Sequence, residues 1–167
     1  MHIVVGDVFE LLYAKDSQYD VLVHGCNCFR NFGAGFAKRL REEIPIAYSA
    51  DQFTEYGSLK KLGTYSYAHT KIDDRSVMII NAYTQYGFGY MYYASDNLAD
   101  PDNPYRKNKV QLHYSSLRRV LNAISLLESD HILMPAIGCG HAGGDWPTVK
   151  NMIDKILGDR VTVVLLQ

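Results

Sequence analysis

The sequence predicts an α/β protein with three layers, in which helices cover both faces of a mixed, mostly parallel central sheet of about six strands. Short apolar, β-branched runs recur along the 167 residues, and amphipathic helical patterns separate them. The apolar runs are nearly continuous, which is typical of strands that are buried on both faces. Because this length suits one ordinary domain, we expect a single domain over residues 1–167.

Five runs have the length and β-branched content of buried strands: residues 3–5, 21–23, 77–80, 132–134 and 161–166. A weaker run at residues 64–69 predicts a strand at an edge of the sheet. Helical patterns lie between these runs. Phe36, Leu40 and Ile44 share the apolar face of one helix. The apolar face of another repeats at four-three-four-three spacing, through Val110, Tyr114, Leu117, Leu121 and Ile124.

The last predicted helix has the clearest ends. Asp145 is in a capping position, Pro147 lies in the first turn, and Gly158 ends the helix. Its inward-facing side chains are predicted to be Val149, Ile153 and Ile156. Upstream of it, the polar and proline-broken residues 94–108 predict an excursion loop within the domain that could form a lid.

Composition limits the partners. With a net charge of −1 and a pI near 6.6, the chain lacks the basic signature of nucleic-acid binding, so a small ligand is the better partner. No leader or long apolar stretch is visible, so we expect a cytoplasmic protein without membrane contact. The three cysteines, Cys26, Cys28 and Cys139, do not have the number or spacing of a disulfide framework or zinc site. We expect them to be reduced and packed, with no metal or cofactor.

Two glycine-rich loops carry the functional signal. The first glycine loop, residues 24–36, follows a predicted strand and runs into a helix. The second glycine loop, residues 136–146, does the same near the end of the chain. Glycines let the backbone approach a phosphate, and free amides at a helix N-terminus favour negative charge. Since both loops leave the carboxyl ends of strands, we expect them to face each other across one crevice. Neither loop has the sequence of a Walker or dinucleotide-binding motif.

Three motifs, in this order, resemble the macro domain, a module that binds ADP-ribose. Residues 5–8 (Val-Gly-Asp-Val) resemble its opening signature. Residues 24–27 and 33–37 resemble its first ligand loop, and residues 137–140 followed by 143–146 resemble its second. The resemblance covers most of the chain and implies a mixed sheet between helices.

The resemblance implies a role for each matching residue. Asp7, with Val8 beside it, would accept a hydrogen bond from the adenine amino group, and Asn27 would contact the distal ribose. One set would hold the pyrophosphate and the distal ribose from one side: Gly33, Ala34, Gly35 and Phe36. A second set would hold the pyrophosphate from the other side: Ile137, Gly138, Cys139, Gly140, His141 and Ala142.

Two features bear on the type of activity. His24 stands where many hydrolases of the family have asparagine, and this change is similar to the branch that contains ADP-ribose-1''-phosphate phosphatases. In a glycohydrolase branch, a lysine after the middle strand performs covalent chemistry, but residues 82–85 are Ala-Tyr-Thr-Gln. We therefore expect a phosphatase-like hydrolase rather than a lysine-dependent glycohydrolase.

Phosphomonoester hydrolysis needs a nucleophile, a proton carrier and donors for the phosphoryl oxygens. The loops would supply the donors. His24 is the candidate proton carrier because free histidine titrates near neutral pH, and Asp145 is the candidate to orient it or to activate a water. Asp145 is equally well explained as a helix cap alone. His24 also fits a structural role, and His141 fits a surface position as well as a ligand contact.

Other functions are open, because their ligands would present the same ADP-ribose group to the loops. They are an ADP-ribosyl hydrolase, an O-acetyl-ADP-ribose hydrolase and a non-catalytic reader of ADP-ribosylated proteins. The aromatic residues 83–93 resemble the RNP1 strand of RNA-recognition motifs, which gives an RNA-binding module as a remote alternative. We favour these aromatics as a wall of the distal-ribose pocket.

Overall fold

The computed structural model describes residues 1–88 and 111–166, which contain six strands, five α-helices and two short 3-10 helices. The strands are β1 His2–Val5, β2 Val21–Cys26, β3 Tyr65–Ile72, β4 Arg75–Tyr83, β5 Ile132–Pro135 and β6 Val161–Leu165. The helices are α1 Val8–Tyr13, α2 Gly35–Glu43, α3 Pro45–Gln52, α4 Tyr114–Ser125 and α5 Trp146–Leu157. The predicted excursion loop at residues 94–108 and the helical position Val110 lie outside the described residues.

The strands form one sheet in the order β1-β6-β5-β2-β4-β3. Every neighbouring pair is parallel except β3 and β4, which are antiparallel. This arrangement confirms the predicted mixed, mostly parallel sheet and places the weak run at residues 64–69 on its edge. One core cluster joins the sheet to α4 and α5, and a second joins its other face to α1, α2 and α3. The chain is therefore layered α/β/α, as predicted.

The last helix follows its predicted ends. The Asp145 carboxylate accepts a hydrogen bond from the Thr148 amide at 3.0 Å, and Gly158 ends the helix with a φ of +54°. The inward face differs at one position, because Leu157 is buried in line with Val149 and Ile153 whereas Ile156 is half-buried. None of the described helices is long and apolar enough to cross a membrane.

Candidate ligand-binding cavity

A cavity of about 1130 Å³ opens at the carboxyl edge of the sheet. It extends along the ends of four neighbouring parallel strands, from β6 through β5 and β2 to β4. Both glycine loops line it, since each leaves one of the two middle strands. The prediction that they share one crevice is confirmed.

Asn27 shapes the first glycine loop. Its side-chain oxygen accepts hydrogen bonds from the amides of Phe29, at 2.9 Å, and Asn31, at 3.3 Å, while its amide nitrogen donates to the Asn31 carbonyl at 2.8 Å. Asn31 then accepts a hydrogen bond from the Gly33 amide at 2.7 Å. Asn27 and Asn31 both line the cavity, so the turn that they stabilise is part of its wall.

The two loops touch at Gly35. This glycine begins α2 with a φ of +54°, and a Cβ atom added there would lie 3.0 Å from Cδ2 of His141 in the second loop. Glycine at position 35 therefore permits both the left-handed backbone conformation and the close approach of the histidine ring. His141 is solvent-exposed, in contrast to His24.

Packing against Leu112 shapes the second glycine loop. Gly138 has a φ of +73°, and a Cβ atom on it would lie 2.6 Å from Cδ1 of Leu112. The Gly144 amide donates to the Gly138 carbonyl at 2.9 Å and closes the loop on itself. The amides of Gln111 and Leu112 both donate to the Ala142 carbonyl, at 2.8 and 3.2 Å. These backbone bonds attach the loop to the segment that follows residue 110.

His24 lies in the cavity wall with only 1% of its surface exposed. Its ring packs edge-on against Phe32 and tilted against Phe36, and its Nε2 is 2.7 Å from the side-chain oxygen of Asn81. Burial lowers the pKa of His24 to about 4, although the hydrogen bond to Asn81 acts in the opposite direction. The imidazole is therefore neutral at pH 7, and it is not the proton carrier with a near-neutral pKa that the sequence suggested.

Asp145 does not line the cavity. Its carboxylate is fully exposed and accepts hydrogen bonds from the amide and the hydroxyl of Thr148, which lower its pKa. Within the described residues, no hydrogen bond joins it to His24. The structure thus places Asp145 at the N-cap of α5 and does not assemble the catalytic pair considered from the sequence.

Asp7 and Val8 also lie outside the cavity lining. Asp7 caps α1 by accepting hydrogen bonds from the amides of Phe9, at 2.8 Å, and Glu10, at 3.1 Å, and it forms an ion pair with Arg39. The Arg39 guanidinium holds the pKa of this carboxyl below its usual value. Val8 is buried in the core. Their roles at an adenine ring remain predictions.

The β4 end of the cavity contains residues that sequence reasoning missed. Gln85 and Gln111 line it, and Gln85 Nε2 lies 3.3 Å from Gln111 Oε1. From the favoured aromatic wall, Tyr86, Gly87 and Phe88 line the cavity, while residues 89–93 lie outside the described part of the chain. The sequence held a weak signal at Gln85, which directly follows the middle strand, but none linked it to Gln111.

The cysteines are unpaired: Cys26 and Cys28 are buried, and Cys139 is half-buried in the cavity wall. Burial raises the pKa of the Cys139 thiol to about 11. In residues 1–88 and 111–166, no group of three metal-binding side chains is placed to hold an ion.

The fold is that of a macrodomain. The macrodomain of Thermus aquaticus DarG matches with a TM-score of 0.64 at 17% identity, over 99% of this chain and 97% of that chain. The structure of Thermosipho africanus DarTG in complex with ADP-ribose matches with a TM-score of 0.69 at 17% identity, over 98% of this chain and 40% of that chain.

No family model matches the chain. A comparison of sequences nevertheless finds a relative. The uncharacterized 17.5 kDa protein in the tk-vs intergenic region of Enterobacteria phage T4 is 31% identical over 154 residues, which cover 90% of this chain and 86% of the phage protein. The chain belongs to the family of this phage protein.

Proposed function

We propose that the chain binds ADP-ribose, or a derivative of it, in the cavity between the two glycine loops. The observation that carries this proposal is the placement of both loops over one cavity, each just before the N-terminus of a helix. Backbone amides and helix dipoles at such positions favour a diphosphate. The structure of Thermosipho africanus DarTG in complex with ADP-ribose, part of which has the same fold, supports the proposal.

The two ends of the cavity also differ in chemical character, which suits an extended ligand with different groups at its ends. Four neighbouring strand ends span about 15 Å, because adjacent strands lie about 4.8 Å apart. The diphosphate would lie at the two middle strands. The β6 end, with Val164 and Leu165, would contact the adenine, and the β4 end, with Asn27 and Gln85, would bind ribose hydroxyls.

Asp7 and Val8 are the proposed neighbours of the adenine amino group. The Arg39 guanidinium now pairs with the Asp7 carboxylate and lies over the Phe9 ring, 4.5 Å from its centre. Phe9 in turn stacks on Phe36 of the cavity wall, with ring centres 5.3 Å apart. A base that reaches Asp7 would therefore share the carboxylate with Arg39, which links adenine binding to one surface side chain.

Hydrolysis of ADP-ribose-1''-phosphate is the finer proposal. In it, His24 would contact the ligand as a neutral imidazole, since its lowered pKa opposes proton transfer near pH 7. Binding of ADP-ribose does not depend on this activity, and a non-catalytic reader or another ADP-ribosyl hydrolase would use the same cavity.

A charge placed at Gly140 tests the binding proposal. Gly140 lines the cavity, and a Cβ atom on it would meet nothing within 4 Å, so the fold accommodates a side chain there. We expect Gly140→Glu to weaken ADP-ribose binding at least about tenfold by calorimetry, because the carboxylate would repel the diphosphate. Gly140→Gln, of nearly the same shape, should retain most of the affinity.

Leu126→Glu is the second control, since Leu126 is 84% exposed and lies outside the cavity lining. Equal affinity in Gly140→Glu and Gly140→Gln would contradict the proposed diphosphate position. Phosphate release from ADP-ribose-1''-phosphate by the same proteins separates a phosphatase from a reader.

A further inference from the structure

A chain of buried and part-buried polar side chains connects the cavity wall with Asp51 of α3 and with Lys61. It begins at His24 and continues through Asn81, Ser66 and Tyr83 to Asp51 and Lys61. The interaction of Asp51 with Lys61 is an ion pair of 3.5 Å, with the carboxylate fully buried and the lysine 6% exposed. Burying two charges is costly unless they are well paired, so this pair requires an explanation.

The direction of each hydrogen bond follows from the carboxylate. Tyr83 donates to Asp51 at 2.7 Å, so the tyrosine oxygen accepts the hydroxyl proton of Ser66 at 2.8 Å. Ser66 in turn accepts a hydrogen bond from the Asn81 amide nitrogen at 3.0 Å. That nitrogen also donates to the Ala47 carbonyl at 2.8 Å, so both of its protons are used.

The same assignment of donors and acceptors determines which ring nitrogen of His24 carries the proton. Since the Asn81 nitrogen donates both protons elsewhere, its oxygen is the atom that faces His24, and Nε2 of His24 must be the donor. His24 is thereby held as the neutral tautomer with the proton on Nε2. Its Nδ1 then carries the lone pair, and the Cys26 sulfur lies 3.8 Å from Nδ1 and 3.4 Å from Nε2.

The other end of the chain contacts the first glycine loop. Lys61 donates to the Cys28 carbonyl at 3.2 Å, and its ammonium lies 4.2 Å from the centre of the Tyr83 ring. The Gly57 amide donates to the same carbonyl, and the Cys28 amide donates to the Tyr86 carbonyl. Cys28 follows Asn27, whose side chain organises the turn in the cavity wall. One network therefore reaches the cavity wall directly at His24, and at its other end it contacts the first glycine loop at Cys28, next to Asn27 in the wall.

We propose that the Asp51–Lys61 pair positions the ligand cavity, through Lys61 on the first glycine loop and through Tyr83, Ser66 and Asn81 on His24. This inference rests on the proposed binding of ADP-ribose. Asp51 and Lys61 are positioning residues, since neither lines the cavity. A buried ion pair is a weak source of net stability, so its contribution here is the geometry of the site rather than the stability of the fold.

The test uses the double variant Asp51→Asn/Lys61→Met. Lys61→Met alone would leave a buried charge unpaired and endanger folding, whereas the double variant removes both charges. We expect it to fold and to bind ADP-ribose about tenfold more weakly, since a hydrogen bond from a charged group to the Cys28 carbonyl is lost. The amide of Asn31 should also exchange with solvent faster than in the wild type.

Arg160→Met is the matched control. Arg160 also donates to backbone carbonyls, of Ser129 and Ser125 at 2.8 Å each, but it lies outside the cavity lining. This variant should lose stability and keep its affinity for ADP-ribose. Wild-type affinity and wild-type Asn31 exchange in a folded double variant would overturn the proposal, as would an equal loss of affinity in Arg160→Met.

Nitrogen-15 spectra of the wild type test the proposed connection through Asn81 to His24, and they need no ligand. We expect His24 to show a protonated Nε2 and a bare Nδ1 throughout pH 5.5–8. A proton on Nδ1 would overturn the assignment to Asn81. Since the spectra and the exchange rates need no ligand, they still judge this inference if the wild type fails to bind ADP-ribose, which would refute only the proposed function.

Discussion

The two glycine loops line the same cavity but obtain their shapes by different means. Polar side chains shape the first loop. Asn27 closes its turn, and the buried ammonium of Lys61 donates a hydrogen bond to the Cys28 carbonyl. Backbone hydrogen bonds and close packing shape the second, where Leu112 fills the space beside Gly138 and Gly144. The first loop should therefore respond to changes of charge and protonation, and the second to changes of volume.

Acidification should produce the largest effect, on the side of the first loop. The folded-state pKa of His24 is lowered to about 4, whereas an unfolded histidine titrates near 6.5, so below pH 6.5 the unfolded chain binds a proton that the folded chain excludes. The stability from this group is complete above pH 6.5 and is lost as the pH falls to 4. The loss amounts to about 3 kcal/mol.

Urea unfolding at several pH values measures this effect. His24→Gln is the control, since its amide can still donate to Asn81 but does not titrate. The free energy of unfolding should fall less steeply with acid in this variant than in the wild type. Parallel curves for the two proteins would show that His24 is not buried in its neutral form.

A methyl group at Gly144 should produce the next largest effect, on the side of the second loop. A Cβ atom there would lie 2.8 Å from the Gly138 carbonyl oxygen, and it would also meet the Leu112 side chain. Overpacking of this kind costs about 2 kcal/mol, so we expect Gly144→Ala to lower the free energy of unfolding by that amount. The loss should not depend on pH between 4 and 7.

Gly140→Ala is the matched control for volume, because its Cβ atom would meet nothing within 4 Å. If Gly144→Ala were as stable as Gly140→Ala, close packing against Leu112 would not be what fixes the second loop.

The sequence predicted most of the strands, because they are short apolar runs that their composition makes recognisable. It did not predict α1 or α3. α1 has only six residues, too few to show a helical period. In α3 the buried face includes Asp51, so the apolar pattern is broken at the position that binds Lys61. A buried charge of this kind is recognisable only once its partner is known.

The candidate site was predictable where glycine marks it and not where tertiary contacts create it. Gly35 and Gly138 have positive φ values and lie in the cavity wall, as the loop motifs indicated. Gln85 and Gln111 meet only because the chain returns to form a bridge between Gln85 and Leu112. Likewise, the lowered pKa of His24 depends on rings from the first loop and α2, which no local pattern reveals.

Removal of the Asp145 carboxylate should have the smallest effect and separates a helix cap from a catalytic group. Because its contacts are to Thr148 in the first turn of α5, we expect Asp145→Ala to lower the unfolding temperature by a few degrees. ADP-ribose affinity should be unchanged, since Asp145 does not line the cavity. Asp145→Ser, which retains a capping oxygen, should recover the lost stability. If Asp145→Ala instead bound normally but lost phosphate release from ADP-ribose-1''-phosphate, and Asp145→Ser did not restore it, the carboxylate would act in catalysis, and the second loop would then depend on charge as the first does.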